Sequence, residues 1–517
     1  MTDVPEKETE SGETAWRRLH PRVVWVDALL ALLSLTPLAV SVTVFEGRVD
    51  GAFWISGAVI GVTGVTKGVS DGLRWFKTWY RITDTHIELR TGLLHRSHRT
   101  VRRDRIRSVD TSAKLRHRLA GLRIVVIGAG QQSAGEPAFA LDAVSRGDAE
   151  WLDDHLIIGR AVSAEPDEPV ADTSEPETPA ETVHPIAAVR WGWLPYNAIT
   201  VWGLLLAAGV LWGAYWALGG FGIRIDRWAL GLADWESLGP VRTVLVAFAA
   251  VWLFGVIGMS VNFVAEWWRF RLDRVSTGGE SVLRTSQGLF STRVVNRDDR
   301  RLRGAEMIEP LPWRWAKAAD TNVISTGLSG GSLKQNAAAT VLPRAPRAES
   351  RRVIGEVLGD PVISAPLRGH PLAALRRRIG WAVNTTVVLA AIVWYLEWTD
   401  VLPGGWWPWC GVILPVGVVL AFAGWRALGH AATPGYLAVR SGAFYRTTVA
   451  LRRDAVIGVT VRQSVLQRRL GLATVTLTTG AGSGGYAAVD ADAGDAVDFG
   501  DEVSAGLLEP FLTPRAE

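Results

Sequence analysis

The densest charge feature of this sequence is a run of arginines. Between Arg90 and Arg118 stand Arg96, Arg99, Arg102, Arg103, Arg105, Arg107, Lys114 and Arg116, opposed only by Asp104 and Asp110. Arg446, Arg452 and Arg453 repeat part of that run farther along. Guanidinium groups present paired N–H donors that match phosphate and carboxylate oxygens. Arg96, Arg99, Arg102, Arg103, Arg105, Arg107, Arg446, Arg452 and Arg453 are therefore the candidate residues for binding anionic lipid headgroups or a partner protein. The competing reading is a solvated strand face that repels acidic segments or reinforces membrane topology. Nucleic acid fits less well and is not expected, because no aromatic side chains interleave the run to stack on bases.

Other reactive constellations are thin. Three His-Pro steps, His20-Pro21, His184-Pro185 and His370-Pro371, suggest metal ligands by residue type alone. Proline suits the first turn of a helix and pushes the residue before it to extended geometry, so each step reads as a helix start and no metal is expected. The single cysteine, Cys410, excludes an internal disulfide and a thiolate metal site. No Gly-x-Ser-x-Gly elbow, His-Glu-x-x-His pair, phosphate-binding loop or kinase set occurs, so neither catalytic residues nor a cofactor are expected. Asp27, Lys67, Asp71 and Glu266 lie in or near apolar segments, where an ionisable group is a functional suspect. All four fall near segment ends, where side chains snorkel or pair; Asn262 and Asn384 are weak candidates nearer the middle. A transporter or channel formed by the spans, with regulatory soluble domains, is the alternative function.

The elements that must hold these residues follow from composition. Of 517 residues, 48% are hydrophobic and 21% charged, too apolar for a soluble enzyme and too charged for a chain wholly in lipid. Six stretches are long and apolar enough to cross a bilayer, for which ~20 residues of helix are needed. They pair as 23–45 with 53–73, 194–218 with 241–267, and 379–396 with 406–425. Trp191, Trp193, Tyr196, Trp267, Trp268, Trp406, Trp407 and Trp409 crowd their ends, as belt residues do. Basic residues flank the start of each pair and follow its end: Arg17, Arg18 and Arg22, then Arg74, Lys77 and Arg81; Arg190, then Arg269 and Arg271; Arg376, Arg377 and Arg378, then Arg426. The positive-inside rule puts these ends, and the N-terminus, in the cytoplasm of a multi-pass inner-membrane protein. Residues 1–15 read as a disordered acidic tail rather than a cleaved signal. Residues 161–183, with seven acids, four prolines and no basic residue, read as a disordered linker.

The soluble stretches repeat. A shift of 350 brings Gly92 onto Gly442, Arg102-Arg103-Asp104 onto Arg452-Arg453-Asp454, Arg118 onto Arg468 and Gly121-Leu122 onto Gly471-Leu472. A shift of 196 places Gly92 on Gly288, Arg118 on Arg314 and Ala120 on Ala316, so the middle copy is a diverged one. Short alternating runs such as Tyr80–Asp84 and His86–Arg90 read as strands, and each copy closes with an amphipathic helix, 143–158, 348–358 and 491–508. The expected organisation is a hairpin at 16–74 and a soluble domain at 75–160, the linker, a hairpin at 184–267 and a domain at 268–360, then a hairpin at 369–426 and a domain at 430–512. The fold class is an α+β membrane protein, six transmembrane helices in three hairpins, each followed by a β-barrel or sandwich with a C-terminal capping helix.

These residues resemble the bacterial PH-like domain membrane proteins of the YdbS/YdbT-like family. Tyr80 to Gly92, Arg103 to Val109 and Arg118 to Leu122 carry the resemblance, as do Tyr436 to Gly442, Arg453 to Val459 and Arg468 to Leu472. The middle copy departs, with Arg314-Trp-Ala-Lys-Ala in place of the Gly-Leu turn. The absence of catalytic motifs is what argues against an enzyme; the resemblance implies a PH-like fold in three tandem units and no settled biochemical activity. It also implies a role at the lipid bilayer, in cell-envelope maintenance, with a smaller PH-like membrane protein as a partner.

Overall fold

The structure, a computed structural model, describes residues 16–33, 35–36, 51–83, 85–92, 97–103, 106–129, 139–153, 182–220, 235–277, 280–326 and 339–504. The acidic tail and nearly all of the linker lie outside them. Among the described residues, Val201–Gly219, Gly239–Trp267 and Leu372–Trp398 are long and apolar enough to cross a membrane. Trp202, Leu205 and Leu206 on the first of these face outward, an apolar surface suited to lipid rather than water. Of the other three expected spans, helix Cys410–Arg426 is apolar but shorter. Helix Gly51–Lys77 has the length, yet carries Lys67, Asp71, Arg74 and Lys77 in its second half. Only Arg22–Leu33 and two further residues of the first stretch are described.

Small residues let the helices of a pair approach. A Cβ on Gly255 would lie 2.6 Å from the Gly203 carbonyl oxygen, so the crossing of Val201–Gly220 with Trp235–Trp267 requires glycine there. Gly239 leaves helical geometry at φ 71°, and Pro240 opens the long segment that follows.

The chain divides into two compact units, Met1–Asp299 and Arg300–Glu517. In the first, β1 (Arg17–Arg18), β2 (Trp79–Ile82), β3 (His86–Thr91) and β4 (Ser97–Arg102) form one antiparallel sheet in chain order. A second sheet combines β5 (Ile106–Ala113), β6 (Leu122–Ala129) and β7 (Phe139–Ser145) with β8 (Thr182–Ala188), β9 (Arg271–Thr277), β10 (Glu280–Gln287) and β11 (Thr292–Asp298). Its order is β7-β6-β5-β11-β10-β9-β8. Alternation along β2 and β3 turns Tyr80, Ile87 and Leu89 inward against Val109, Leu122, Val125, Ile127 and Leu141, and Ala149 and Leu152 of helix Arg146–Asp153 close the core. Each large side chain buried this way contributes about 1.5–3 kcal/mol. The expected capping helix at 143–158 starts later, because Ala143, Val144 and Ser145 remain in β7.

The second unit repeats the plan. Strands β12 (Leu302–Pro310), β13 (Ala318–Ser325) and β14 (Thr340–Pro346) join β15 (Gly429–Ala432), β16 (Tyr436–Ser441) and β17 (Tyr445–Arg452) in the order β14-β13-β12-β17-β16-β15. A last sheet holds β18 (Val456–Arg462), β19 (Leu472–Thr479) and β20 (Gly485–Asp492). Leu437, Val439, Val449 and Leu451 pack on Val475, Leu477 and Phe499, the last from helix Ala493–Val503.

Two sheets are thus built across copies, which separate 75–160, 268–360 and 430–512 domains do not anticipate. The joint strands are β5 with β11 and β12 with β17, and their registers agree. Ser108 opposes Arg297 as Gly304 opposes Leu451, and Ala113 opposes Thr292 as Glu309 opposes Arg446. An ion pair secures each joint. Arg293 Nε donates to both oxygens of Asp110 at 3.1 Å, and Arg446 donates to Glu309 at 2.7 and 2.8 Å. Arg347 also bridges Glu309, which is nearly inaccessible. Burial alone pushes the Glu309 carboxyl up, but Arg446 and Arg347 outweigh it and hold it below the ordinary carboxylate range. The aligned arginines complete the joints: Arg118 donates to the Leu289 carbonyl and Arg314 to the Ala443 carbonyl, the latter at 2.9 Å.

The His-Pro reading needs one correction. Pro21 and Pro371 do precede helices, Arg22–Leu33 and Leu372–Trp398, but Pro185 sits inside β8. That strand is the edge of its sheet and shifts register between Pro185 and Ala187, the setting in which a strand tolerates a residue without an N–H.

Candidate functional site

The richest surface chemistry lies where helix Gly51–Lys77 ends and the first sheet begins. Thr78 is buried, β2 starts at Trp79, and β1 returns from the N-terminal side to pair Arg18 with Trp79 and Arg17 with Tyr80. Because side chains alternate, Trp79 and Arg81 face away from the core that Tyr80 enters. Cross-strand pairing sets Arg90 opposite Trp79 and Glu88 opposite Arg81, and places His98 opposite Arg90. One outward face therefore carries Arg18, Trp79, Arg81, Glu88, Arg90 and His98.

Aromatic rings organise the charges. The Arg18 guanidinium lies 4.0 Å from the Trp79 ring centroid and 5.2 Å from that of Phe76. Arg90 and Arg81 approach Trp16 at 4.0 and 4.9 Å, and Lys77 lies 5.6 Å from Phe76. The acid on this face is neutralised locally: Glu88 accepts from Arg81 at 3.0 Å and pairs with His98 at 3.3 Å. Burial nudges its carboxyl upward, and the hydrogen bonds from Arg81 and His98 prevail and hold it low. A guanidinium stacked on a ring keeps its in-plane N–H groups available to an anion, and its weak hydration lowers the cost of contact. Exposed Arg18, Lys77 and Arg90 beside half-buried Trp16 and Trp79 thus form a surface suited to phosphate oxygens at an apolar boundary.

The residues named from the sequence are dispersed. Arg99 shares the inward face of β4 and opposes Leu89, whereas Arg102 faces outward opposite His86. Arg103 follows the strand and its amide donates to the Thr85 carbonyl at 2.9 Å. Arg96 and Arg105 lie outside the described residues, as does the side chain of Arg107 on β5. Arg446 is committed to buried Glu309, and Arg453 donates to the carbonyls of Thr433 and Glu502, each at 2.7 Å. Arg452 approaches Asp454 at 3.7 Å. Strand alternation divides the described arginines of the run between two faces of the first sheet, and intramolecular acceptors occupy Arg446 and Arg453.

Sequence reading missed Trp16, Trp79 and Arg90 as members of the face and took Arg18 and Arg81 only as topology flanks. The signal present was the Trp-x-Arg spacing at Trp79 and Arg81; the return of β1 across some sixty residues has no local signature. The ionisable residues near the spans also find structural work. Arg116 donates to Asp27 at 3.3 Å, tying helix Arg22–Leu33 to the short helix Leu115–Leu119 between β5 and β6. In the second unit, Arg377 and Gln467 both donate to buried Asp490, which fastens helix Leu372–Trp398 to β20. Buried His370 bridges the Val489 carbonyl at 2.9 Å and His430 at 3.1 Å. Among the described residues, no group of three or more His, Cys, Asp or Glu side chains is placed to hold a metal ion.

Residues 31–157 and 376–505 match the bacterial PH domain family model. Each PH-like match takes in strands on both sides of a core together with the closing helix, Arg146–Asp153 in one and Ala493–Val503 in the other. No curated protein and no solved structure matches the chain.

Proposed function

We propose that this chain is a non-enzymatic, membrane-anchored scaffold whose PH-like modules engage anionic lipid headgroups at the cytoplasmic leaflet. In this reading there are three tandem modules of the YdbS/YdbT-like kind, each carried by its own hairpin of a multi-pass inner-membrane protein. A smaller PH-like membrane protein is the partner, and the setting is cell-envelope maintenance. The observation that carries the reading is the basic and aromatic face formed by Arg18, Lys77, Arg81 and Arg90 over Trp16, Phe76 and Trp79, placed directly at the end of helix Gly51–Lys77. A basic group near an anionic bilayer gains about 1 kcal/mol, and rings of this kind prefer the headgroup level.

Competition between fluorescent phosphatidylglycerol and phosphatidylcholine for the purified full-length protein in detergent tests it. Replacing Arg18, Arg81 and Arg90 together by Gln is expected to cut the preference for the anionic lipid by up to about 100-fold, and raised salt to weaken the wild-type preference in parallel. A preference unmoved by charge removal and by salt would overturn the lipid reading.

A further inference from the structure

The joints in this chain follow one rule: the strand that opens the second half of a module pairs with the third strand of the next. β5 takes β11, and β12 takes β17. Among the described residues, the rule leaves one strand of each kind at a sheet edge, since β4 ends the first sheet and β18 ends the last. β18 is the counterpart of β5 and β12 by position and also by shape. All three shift register at the same point, between Ile106 and Ser108, Leu302 and Gly304, and Val456 and Gly458.

The β18 edge has the surface of an unfilled joint. A Cβ on Gly304 would lie 2.1 Å from the Ala450 carbonyl oxygen across the β12–β17 joint, whereas one on its counterpart Gly458 would meet nothing within 4 Å. Ile457 is 75% exposed and Val465 73%, with Val461 and Leu466 beside them. Protected edges carry charges, prolines or covering segments, and β18 has only Arg462 at its end. Arg468 is exposed, and its side chain has no hydrogen-bond partner among the described residues, while its counterparts Arg118 and Arg314 each donate to a backbone carbonyl of the turn before the partner strand.

We infer that β18 of one chain pairs antiparallel with β4 of a second copy of the same chain. The occupant is a second copy because every chain carries both halves of the joint and, among the described residues, fills neither. Carrying the register of the two internal joints over sets Gly458 opposite Val101 and Val461 opposite His98, with Arg468 reaching the Gly92 carbonyl as Arg314 reaches that of Gly442. The joint is heterologous, so chains add head to tail until a ring closes or a row forms in the membrane plane. It lacks the acid that Asp110 and Glu309 supply elsewhere, and is therefore weaker than the internal joints and sustained by backbone pairing and apolar contact.

The test uses full-length chains in proteoliposomes in a Cys410→Ala background. A chain with His98→Cys is mixed with a differently tagged chain carrying Val461→Cys and treated with a short bismaleimide. A two-chain product is expected in more than about tenfold excess over the off-register mixture of His98→Cys with Ile457→Cys, since a four-residue slip displaces the pair by ~13 Å. Equal yields from the two mixtures, or no two-chain product, overturn the inference. So does a double variant, His98→Cys with Val461→Cys, that links within a single chain, because that places both halves of the joint in one molecule.

Discussion

The arginine at position 297 shows how a side chain can be inherited by a joint without strengthening it. Arg297 is fully buried on β11 opposite Ser108, and burial, reinforced by Arg293, lowers its pKa to about 9. The counterpart across the other joint is Leu451, opposite Gly304. A buried charge gains from partners less than it loses by leaving water, and a well-packed apolar replacement is often neutral or stabilising. Arg297→Leu is therefore expected to leave the thermal unfolding midpoint of the detergent-solubilised protein unchanged or to raise it by a few degrees. A fall of several degrees would show that the guanidinium is required. The buried histidines behave differently. Burial, then His370 and Arg368, lowers the pKa of His430 from its ordinary value to about 4, and His370 is shifted the same way by burial. Between pH 6.5 and 4 the unfolded chain takes up a proton at position 430 that the folded chain refuses. Stability is complete above the ordinary value and declines as pH falls through that window, by about 1–3 kcal/mol for this group. Melting curves at pH 7 and 4.5 should show a smaller pH-dependent drop for His430→Leu than for wild type; an equal drop would assign the effect elsewhere.

Strands, not helices, decide how modules meet. Gly304 permits the β12–β17 joint because its missing side chain makes room for the Ala450 carbonyl. Gly304→Val is expected to open that joint, speeding hydrogen exchange at β12 and β17 at least about tenfold, with β19 and β20 unaffected. Protection unchanged at all four strands would mean that the joint is not held there. Much of this element plan was legible beforehand. The Gly92, Gly288 and Gly442 turns all take positive φ, at 125°, 111° and 106°, as the matching offsets imply. At Gly442 a Cβ would lie 1.9 Å from the Tyr445 carbonyl oxygen, so the motif glycine is a steric necessity. The β2–β3 pair and the closing helix Arg347–Leu358 fall where local pattern put them. What escaped was non-local. Nothing in the neighbourhood of β11 announces that its partner is β5, 183 residues away as Asp110 and Arg293 measure it. Spacing along the basic run does not reveal which side of a strand each Arg takes, and the aromatic members of the face enter from the residue before β1, from β2 and from the end of a helix.

The Asp27–Arg116 and Asp490–Arg377 contacts tie the apolar helices Arg22–Leu33 and Leu372–Trp398 to the sheet-bearing parts of their units, and the proposed function has those contacts hold the modules beside the bilayer. That arrangement supports a scaffold only if the modules hang on the side of the membrane that carries the anionic leaflet, where the basic flanks predict them. Single cysteines at exposed Thr85, Arg300 and Ser483, again with Cys410→Ala, sample the three stretches of soluble sheet. A membrane-impermeant maleimide applied to intact cells and to sealed inverted vesicles reads their sidedness directly. Labelling at all three positions in inverted vesicles and at none in intact cells is the predicted result; labelling of any one from outside the cell would contradict the account.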